Sequence, residues 1–588
     1  MLVKRLFATT TGALLSKGAA IITALLLFRQ LPAADMGRYT AALTLVSFCA
    51  ILANAGLNPL TTREIARLGS DAQRWWRAIA PLRLLLALAA YTLLVMVALF
   101  VPNLVDARIA LVAGLLLVPD ALAAMLAATL NGLGRAALAS WLDALSNLIG
   151  LLATLALVLL WHADIFALAW LVVALAGAAF ALNGLALTKS WQLRPTPQAI
   201  KIAAKWPRAT PVSCRGQAKP AFAGSPPTSM ATLSTSHKPT PVEEGGVRAG
   251  GLGGGTPLGA NLFAGGAGMG GLWRQALIAA VPLGLGALAA TLYFRVDTLF
   301  LSAARGGRAV AYYSAPYQIV ESFWLISTSW NAIALPALAR RYSPRFVERS
   351  VALLLSIGLP ASLLISFRAE DVTRLVFGQN YLPAALPLRW VIWVVPILFG
   401  YVPVVTALFV HDRQSRVLLV LLTNLALALL LDALLIPSYG ALGASIATVI
   451  VEAGALAGYL WLAHRARLGI NWARGLYQPA LISIPLIGLL VIGHGLPFPL
   501  LLACTLLLWA ALFGLLRPWA TSQQDRASTT TTNASQNPVR AGGLRGPQAR
   551  RRGFPQRGHG NRLRPAVVSW AISKTTSTAR PPEEVNSR

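Results

Sequence analysis

Apolar stretches of about twenty residues recur along most of this chain with only short polar punctuation between them, and that pattern limits the fold more than any other feature. A run of that length spans the roughly 30 Å hydrocarbon core of a bilayer when helical. Lipid offers the backbone no hydrogen-bond partner, so each run must satisfy its own amides as a helix. Fourteen such spans are read: 8–31, 39–60, 79–101, 109–130, 138–161 and 166–187 in the first half, then 275–303, 310–338, 347–367, 386–410, 417–436, 441–463, 477–492 and 497–516 in the second. The expected fold is an all-α polytopic membrane protein. Composition agrees: of 588 residues 56% are hydrophobic and only 12% charged, half the roughly 25% charge of soluble domains, and the mean hydropathy is +0.63.

The distribution of charge gives an independent test, because cytoplasmic loops collect Lys and Arg. Alternate segments carry Lys4 and Arg5; Arg63, Arg67, Arg74 and Arg77; Arg135; Arg340, Arg341, Arg345 and Arg349; Arg413 and Arg416; Arg465, Arg467 and Arg474. The opposite set is sparser. Both termini are therefore expected in the cytoplasm, as an even number of spans requires. The net charge of +30 might suggest nucleic acid, but its placement argues otherwise. Lys189 to Arg274 holds ten Lys and Arg against two Glu, and Arg517 to Arg588 thirteen against three acids. Between 190 and 272, and again after 518, Pro, Gly, Ser and Thr replace the apolar periodicity, a composition that buries too little to fold. The expected organisation is a six-helix lobe at 1–189, an unfolded basic connection at 190–272, a second six-helix lobe at 273–464, two added helices at 465–517 and an unfolded basic tail at 518–588. The tail, with GLRGPQARRRGFPQRGHGNRLR at 543–564, is read as an unstructured cytoplasmic segment that follows the charge rule, with contact to anionic membrane lipids as the alternative and no nucleic-acid partner expected.

The two halves echo one another. GRYTAA at 37–42 parallels AYYSAP at 311–316, and Asn147 parallels Asn424 at a similar offset, as expected of duplicated six-helix units. Cys49, Cys214 and Cys504 show no ligand spacing, so neither a metal nor a disulfide is expected. No Gly-rich phosphate loop ending in Lys-Ser or Lys-Thr occurs, which argues against ATP, and no cofactor is expected.

Three groups of residues carry a family resemblance: FRQLPAADMGRYTAALTLVSF at 28–48 followed by NAGLNPLTTREIAR at 54–67; LYFRVDTLFLS at 292–302 with AVAYYSAPYQIVES at 309–322; and ALPALAR at the end of the eighth span. They resemble the polysaccharide flippases, the oligosaccharide-lipid exporters of the multidrug and polysaccharide exporter superfamily. The resemblance implies two six-helix lobes around a cavity open alternately to each membrane face, a lipid-linked (undecaprenyl-diphosphate) oligosaccharide as substrate, and coupling, where there is any, to protons or sodium without ATP. It implies a transporter in the cytoplasmic membrane and not an enzyme. The long central connection and the basic tail depart from the family pattern.

Ionised groups inside spans cost a few kcal/mol each and so face a partner, water or a site. Arg295 and Asp297 lie in the seventh span, about 200° apart on the helix, so they point to different faces. Asp297 is the residue the resemblance carries over; Arg295 could meet a diphosphate through its planar fork, or pair with another helix. Glu321 and Glu452, mid-span, are candidates for proton coupling, with helix packing as the alternative. Arg29, Asn54 and again Glu321 are candidates for the cavity, with snorkelling the alternative for Arg29; Arg63 is a candidate for the cytoplasmic mouth, although a plain topogenic role is the stronger reading of it. Asp143 and Asp432, nearer span ends, are read as solvated at the interface. Pro282, Gly284 and Gly286, and Pro396, Gly400 and Pro403, are read as bends. Two rivals share the membrane architecture: an exporter of small amphipathic cations, which calls for an acidic cavity without Arg, and a non-transporting scaffold that uses the two polar segments. A membrane glycosyltransferase lacks the paired acids in a large loop that it would need.

Overall fold

The computed structural model describes residues 2–68, 72–101, 104–161, 164–192 and 269–516. The unfolded states expected for most of the connection and for the tail fall outside these. Eighteen α-helices and no strand occur among the described residues. The first half comprises α1 Leu2–Gln30, α2 Ala33–Asn54, α3 Leu57–Leu68, α4 Ala72–Phe100, α5 Ala107–Gly114, α6 Leu117–Gly132, α7 Ala136–Trp161 and α8 Ile165–Gln192. The second comprises α9 Met269–Arg305, α10 Gly307–Arg340, α11 Pro344–Phe367, α12 Ala369–Phe377, a 3-10 turn Gln379–Ala384, α13 Ala385–Val391, α14 Val394–Val410, α15 Gln414–Tyr439, α16 Ala441–Arg465, α17 Trp472–Ile492 and α18 Phe498–Leu516. Helix α9 thus begins inside the stretch expected to be unfolded, before residue 273.

Thirteen of the fourteen expected spans are helical segments long and apolar enough to cross a membrane. The exception is the eighth. It exists as α10, 34 residues long, but Tyr312, Tyr313, Ser314, Gln318, Glu321, Ser322, Thr328, Ser329 and Asn331 make it too polar to qualify by composition. Some of its hydroxyls turn onto its own backbone: Ser322 Oγ donates to Gln318 O at 2.8 Å and Ser329 Oγ to Leu325 O at 2.7 Å.

Three expected spans are each split in two. The second breaks at Ala55–Gly56, the fourth at Leu115–Leu116 and the tenth at Ile392–Trp393. Each break begins four residues before a proline, Pro59, Pro119 or Pro396. Proline has no N–H to give the carbonyl one turn back, and it is tolerated in the first turn of the downstream helix where it now lies. At two of the breaks a side chain bonds a carbonyl beside the break: Arg83 Nη1 donates to Asn54 O at 3.2 Å, and Ser362 Oγ to Ile392 O at 3.1 Å, which also accepts from Val395 N at 3.1 Å. Gly56, with φ of 74°, packs so closely on α9 that a Cβ would lie 2.2 Å from Ala280 O.

Helix packing repeats between the halves. α1 packs on α7 as α9 packs on α15; α4 on α6 as α11 on α14; α6 on α8 as α14 on α16; and α7 on α8 as α15 on α16. One apolar core lies chiefly within the second half and another within the first. The halves meet mainly where α2 packs on α9 and α10, and where α3 meets the start of α9. There Leu272, Ala276 and Ala280 are buried with Leu57, Ile65 and Trp75. Helices α17 and α18 are added at the edge, α17 lying along α11.

Candidate functional site

Residues four apart share a helix face and residues two apart do not. On α9 this rule separates Tyr293 and Asp297 from Arg295, and the two faces meet different surroundings. Arg295 reaches across to α10, where its Nη2 stands 2.5 Å from Glu321 Oε1. The two side chains keep 38% and 21% of their exposure, so the pair is accessible and not sealed. Beside it Phe294 packs on Trp324 with ring centroids 4.6 Å apart.

The other face looks into the second half. Asp297 is buried, its Oδ1 accepting from Thr298 N at 2.6 Å and its Oδ2 from the Tyr313 hydroxyl. Tyr313 Oη lies 2.9 Å from Thr448 Oγ1 on α16. One turn along α16, Glu452 accepts from Tyr293 Oη and Tyr401 Oη, each at 3.0 Å. Asp432 on α15 completes the group. Tyr293, Asp297, Tyr317, Asp432, Thr448 and Glu452 line a cavity of about 20 Å³. That is room for one water molecule or a cation of similar size, and none for a sugar. Among the described residues no three His, Cys, Asp or Glu side chains are placed to hold a metal ion; hydroxyls would have to supply the remaining oxygens of any cation bound here.

Asp432 corrects the sequence reading. Expected to be solvated near a span end, it is 3% exposed, because Asn424, Ala428, Asp432 and Ile436 form one buried stripe at four-residue spacing along α15. That register was the available signal. Asp143, by contrast, is exposed and accepts from Ser16 on α1.

The other candidates are dispersed. Asn54 faces inside the first half, where its Oδ1 accepts from Arg83 Nη2 and Asn58 Oδ1 accepts from the same nitrogen at 2.7 Å. Arg83, which the sequence reading passed over, is 1% exposed and also donates from Nε to Ala121 O at 3.1 Å. Its position four residues inside the third span was the clue. Arg29 lies at the far end of α1 and donates to Leu375 O at 2.9 Å. Arg63 is about half exposed and 3.0 Å from the buried Glu64 carboxylate. Glu321 and Glu452, both read as proton-coupling candidates, thus sit in different places, one against an arginine and one between two tyrosines.

These helices define a multi-pass membrane protein with the two-lobed fold of transporters and flippases. Residues 2–206 match the family model described as "Polysaccharide biosynthesis protein", which bears out the resemblance read from the sequence. Among solved structures, the lipid II flippase MurJ in an inward closed conformation superposes with a TM-score of 0.61 at 12% identity, covering 87% of this chain and 98% of that one. A multidrug resistance MATE family transporter of the MOP superfamily, inward-facing, gives 0.52 at 14% identity, with 77% of this chain and 94% of that one covered. At such identities the likeness is one of fold. No curated protein matches the chain in sequence.

Proposed function

We propose that this protein is a flippase that carries lipid-linked oligosaccharide, of the undecaprenyl-diphosphate kind, across the cytoplasmic membrane by alternating access, for polysaccharide or O-antigen biosynthesis. The observation that carries the reading is the accessible Arg295–Glu321 pair between α9 and α10, on the one span too polar to pass as lipid-facing. A guanidinium fork matches two oxygens of a diphosphate, and a glutamate holds it in place until a headgroup arrives. The family match over the first lobe and the fold shared with a lipid II flippase support the same reading. The working unit would be the lobes 1–189 and 273–464, with the hairpin 465–517 added to the second. The Lys and Arg distribution favours cytoplasmic termini and puts Arg63 at the cytoplasmic mouth.

Coupling to protons or sodium would use the small cavity around Asp297, Asp432 and Glu452, since it has oxygen donors and the size of an ion. Its acidity also favours the rival reading, export of small cations, as does the likeness to a multidrug transporter. Arg295 counts against that rival, because a cation would have to pass beside it. Arg29 no longer does, being engaged with Leu375.

The test is reconstitution into liposomes with labelled isoprenoid-diphosphate oligosaccharide, with and without imposed proton or sodium gradients. Transbilayer movement is expected. Arg295→Ala should slow it about 10- to 100-fold, the equivalent of one charge-assisted hydrogen bond of about 1.5–3 kcal/mol. Glu321→Gln should have a smaller effect in the same direction. No movement of any such lipid under any gradient removes the reading, and movement of small cations alone selects the rival. Movement that survives deletion of 193–268 and of the tail excludes the scaffold.

A further inference from the structure

At the end of the bundle where α1 finishes and α2, α9 and α10 turn, the two halves are held together by a short segment of the second half. Helix α12 is amphipathic: Ala369, Val372, Thr373 and Phe377 are buried, while Glu370, Arg374 and Leu375 face outward. Its base is fixed to its own half. Arg368 donates to Asp371 at 2.5 Å and to His494 O and Leu496 O at 3.2 and 3.1 Å, in the turn between α17 and α18.

Its tip belongs to the other half. Phe377 and Tyr381 are each 1% exposed, in a core built mainly from first-half residues such as Leu27, Phe28, Leu31, Met36, Tyr39 and Ile109. Phe28 of α1 meets both rings edge-on, with centroids 5.8 Å from Phe377 and 5.9 Å from Tyr381. The neighbouring polar contacts also cross between halves. Arg29 Nη1 donates to Leu375 O at 2.9 Å and Tyr381 Oη to Leu31 O at 3.5 Å. At the same end α2 and α10 touch backbone to backbone: a Cβ on Gly37 would lie 1.6 Å from Gly307 O.

We infer that the segment Ala369–Ala384 is a latch: Phe377 and Tyr381, inserted into the first lobe beside Phe28, hold this mouth of the transporter closed, and the mouth opens only when the two rings withdraw. Two rigid halves can separate at one end only if every side chain rooted in one and buried in the other leaves its socket. Phe377 and Tyr381 are the large side chains that meet this description in the segment. Arg29 guards the socket from outside, and its single hydrogen bond to a backbone carbonyl breaks as the segment leaves. This inference rests on alternating access, the premise of the proposed function, but on neither its substrate nor its coupling ion.

The experiment therefore reads distance and not transport. In the full chain with Cys49→Ala, Cys214→Ser and Cys504→Ala, spin labels are placed at two exposed sites of this end, Arg108→Cys in the first half and Leu375→Cys in the second, in lipid nanodiscs. One narrow distance distribution is expected. Phe377→Ala with Tyr381→Ala should add a second, longer population amounting to at least about a tenth of the molecules. Phe377→Leu with Tyr381→Phe, which refills the socket, should restore the single population. Arg29→Ala leaves the aromatic core untouched and should shift the distribution the same way by a lesser amount, which keeps the test valid if the double alanine variant fails to fold. An unchanged distribution in both Arg29→Ala and the aromatic pair overturns the latch. If distances respond while no lipid moves in liposomes, the latch stands and the substrate assignment falls; if lipid moves while distances do not respond, the latch falls alone.

Discussion

Arg83 is the residue with the most to lose. Four polar atoms converge on its guanidinium, two of them backbone carbonyls at Asn54 and Ala121, and Asp120 adds an attractive charge. Without the arginine Asn54 O, at the end of α2, would be left in an apolar interior at about 1–3 kcal/mol, and three further bonds to a charged group would be lost. Arg83→Ala should therefore lower stability by several kcal/mol, measured by denaturant unfolding in detergent, and Arg83→Lys should recover only part, because an ammonium cannot reach four divergent acceptors. A loss below about 1 kcal/mol would show that water or a side-chain shift replaces the fork. Gly37 makes a second prediction at this scale. Gly37→Ala drives a methyl into Gly307 O and should abolish the closed packing of α2 on α10, whereas Gly177→Ala meets nothing within 4 Å and should leave unfolding unchanged; equal effects would refute the contact. Single residues were also the hardest to read from sequence. Arg295 and Asp297 could be assigned to opposite faces from helix geometry alone. The partner on each face depends on which helix packs there, and one sequence contains no such information. The four-residue register of Asn424, Ala428, Asp432 and Ile436 placed Asp432 on one face of α15; that this face docks on α9 is what the sequence did not contain.

Helices are where the sequence was most legible and where its failures have one cause. Length and apolarity located thirteen of the fourteen spans, because bilayer thickness imposes a minimum length, but not all of their ends: the second runs on to Leu68 and the tenth starts at Gln379. The three breaks were not foreseen as breaks, although Pro396 was read as a bend. Several prolines among the described residues, including Pro282, Pro316 and Pro403, sit inside continuous helices, so proline alone does not decide. At two breaks a donor from a neighbouring helix meets a carbonyl at the break, and only the docked structure reveals it. Ser362 supplies that donor to Ile392 O, and its worth can be measured. Ser362→Ala should destabilise by about 0.5–1.5 kcal/mol, the worth of one hydrogen bond, since Ile392 O keeps the Val395 amide. Pro396→Ala offers the same carbonyl a second amide donor and should reduce that penalty in the double variant. A double-mutant cycle that adds without coupling would show the break has another origin.

For the whole molecule, the count of crossings decides where everything else lies. Thirteen helical segments are long and apolar enough to cross, and if they alone did so the chain ends would lie on opposite faces. The balance of basic residues favours the same face for both ends, which calls for α10 as a fourteenth crossing. At 34 residues and 1.5 Å per residue, α10 is about 50 Å long, ample for a bilayer. Ser322, Thr328 and Ser329 bond to its own carbonyls, Tyr313 to Asp297 and Glu321 to Arg295, so much of its polarity is met within the protein. It also packs against α1, α2 and α14, an interior position. Cysteines at the exposed residues Arg308 and Arg341, at opposite ends of α10, should therefore react with an impermeant maleimide from opposite sides of the membrane, Arg341→Cys from the side that reads a tag at the N-terminus. Tags at the N-terminus and after residue 588 should be read from one side. Labelling of Arg308→Cys and Arg341→Cys from a single side would take α10 out of the membrane. It would also invert every loop after α10, placing Arg413, Arg416, Arg465, Arg467 and Arg474 against the charge rule that holds for the first half.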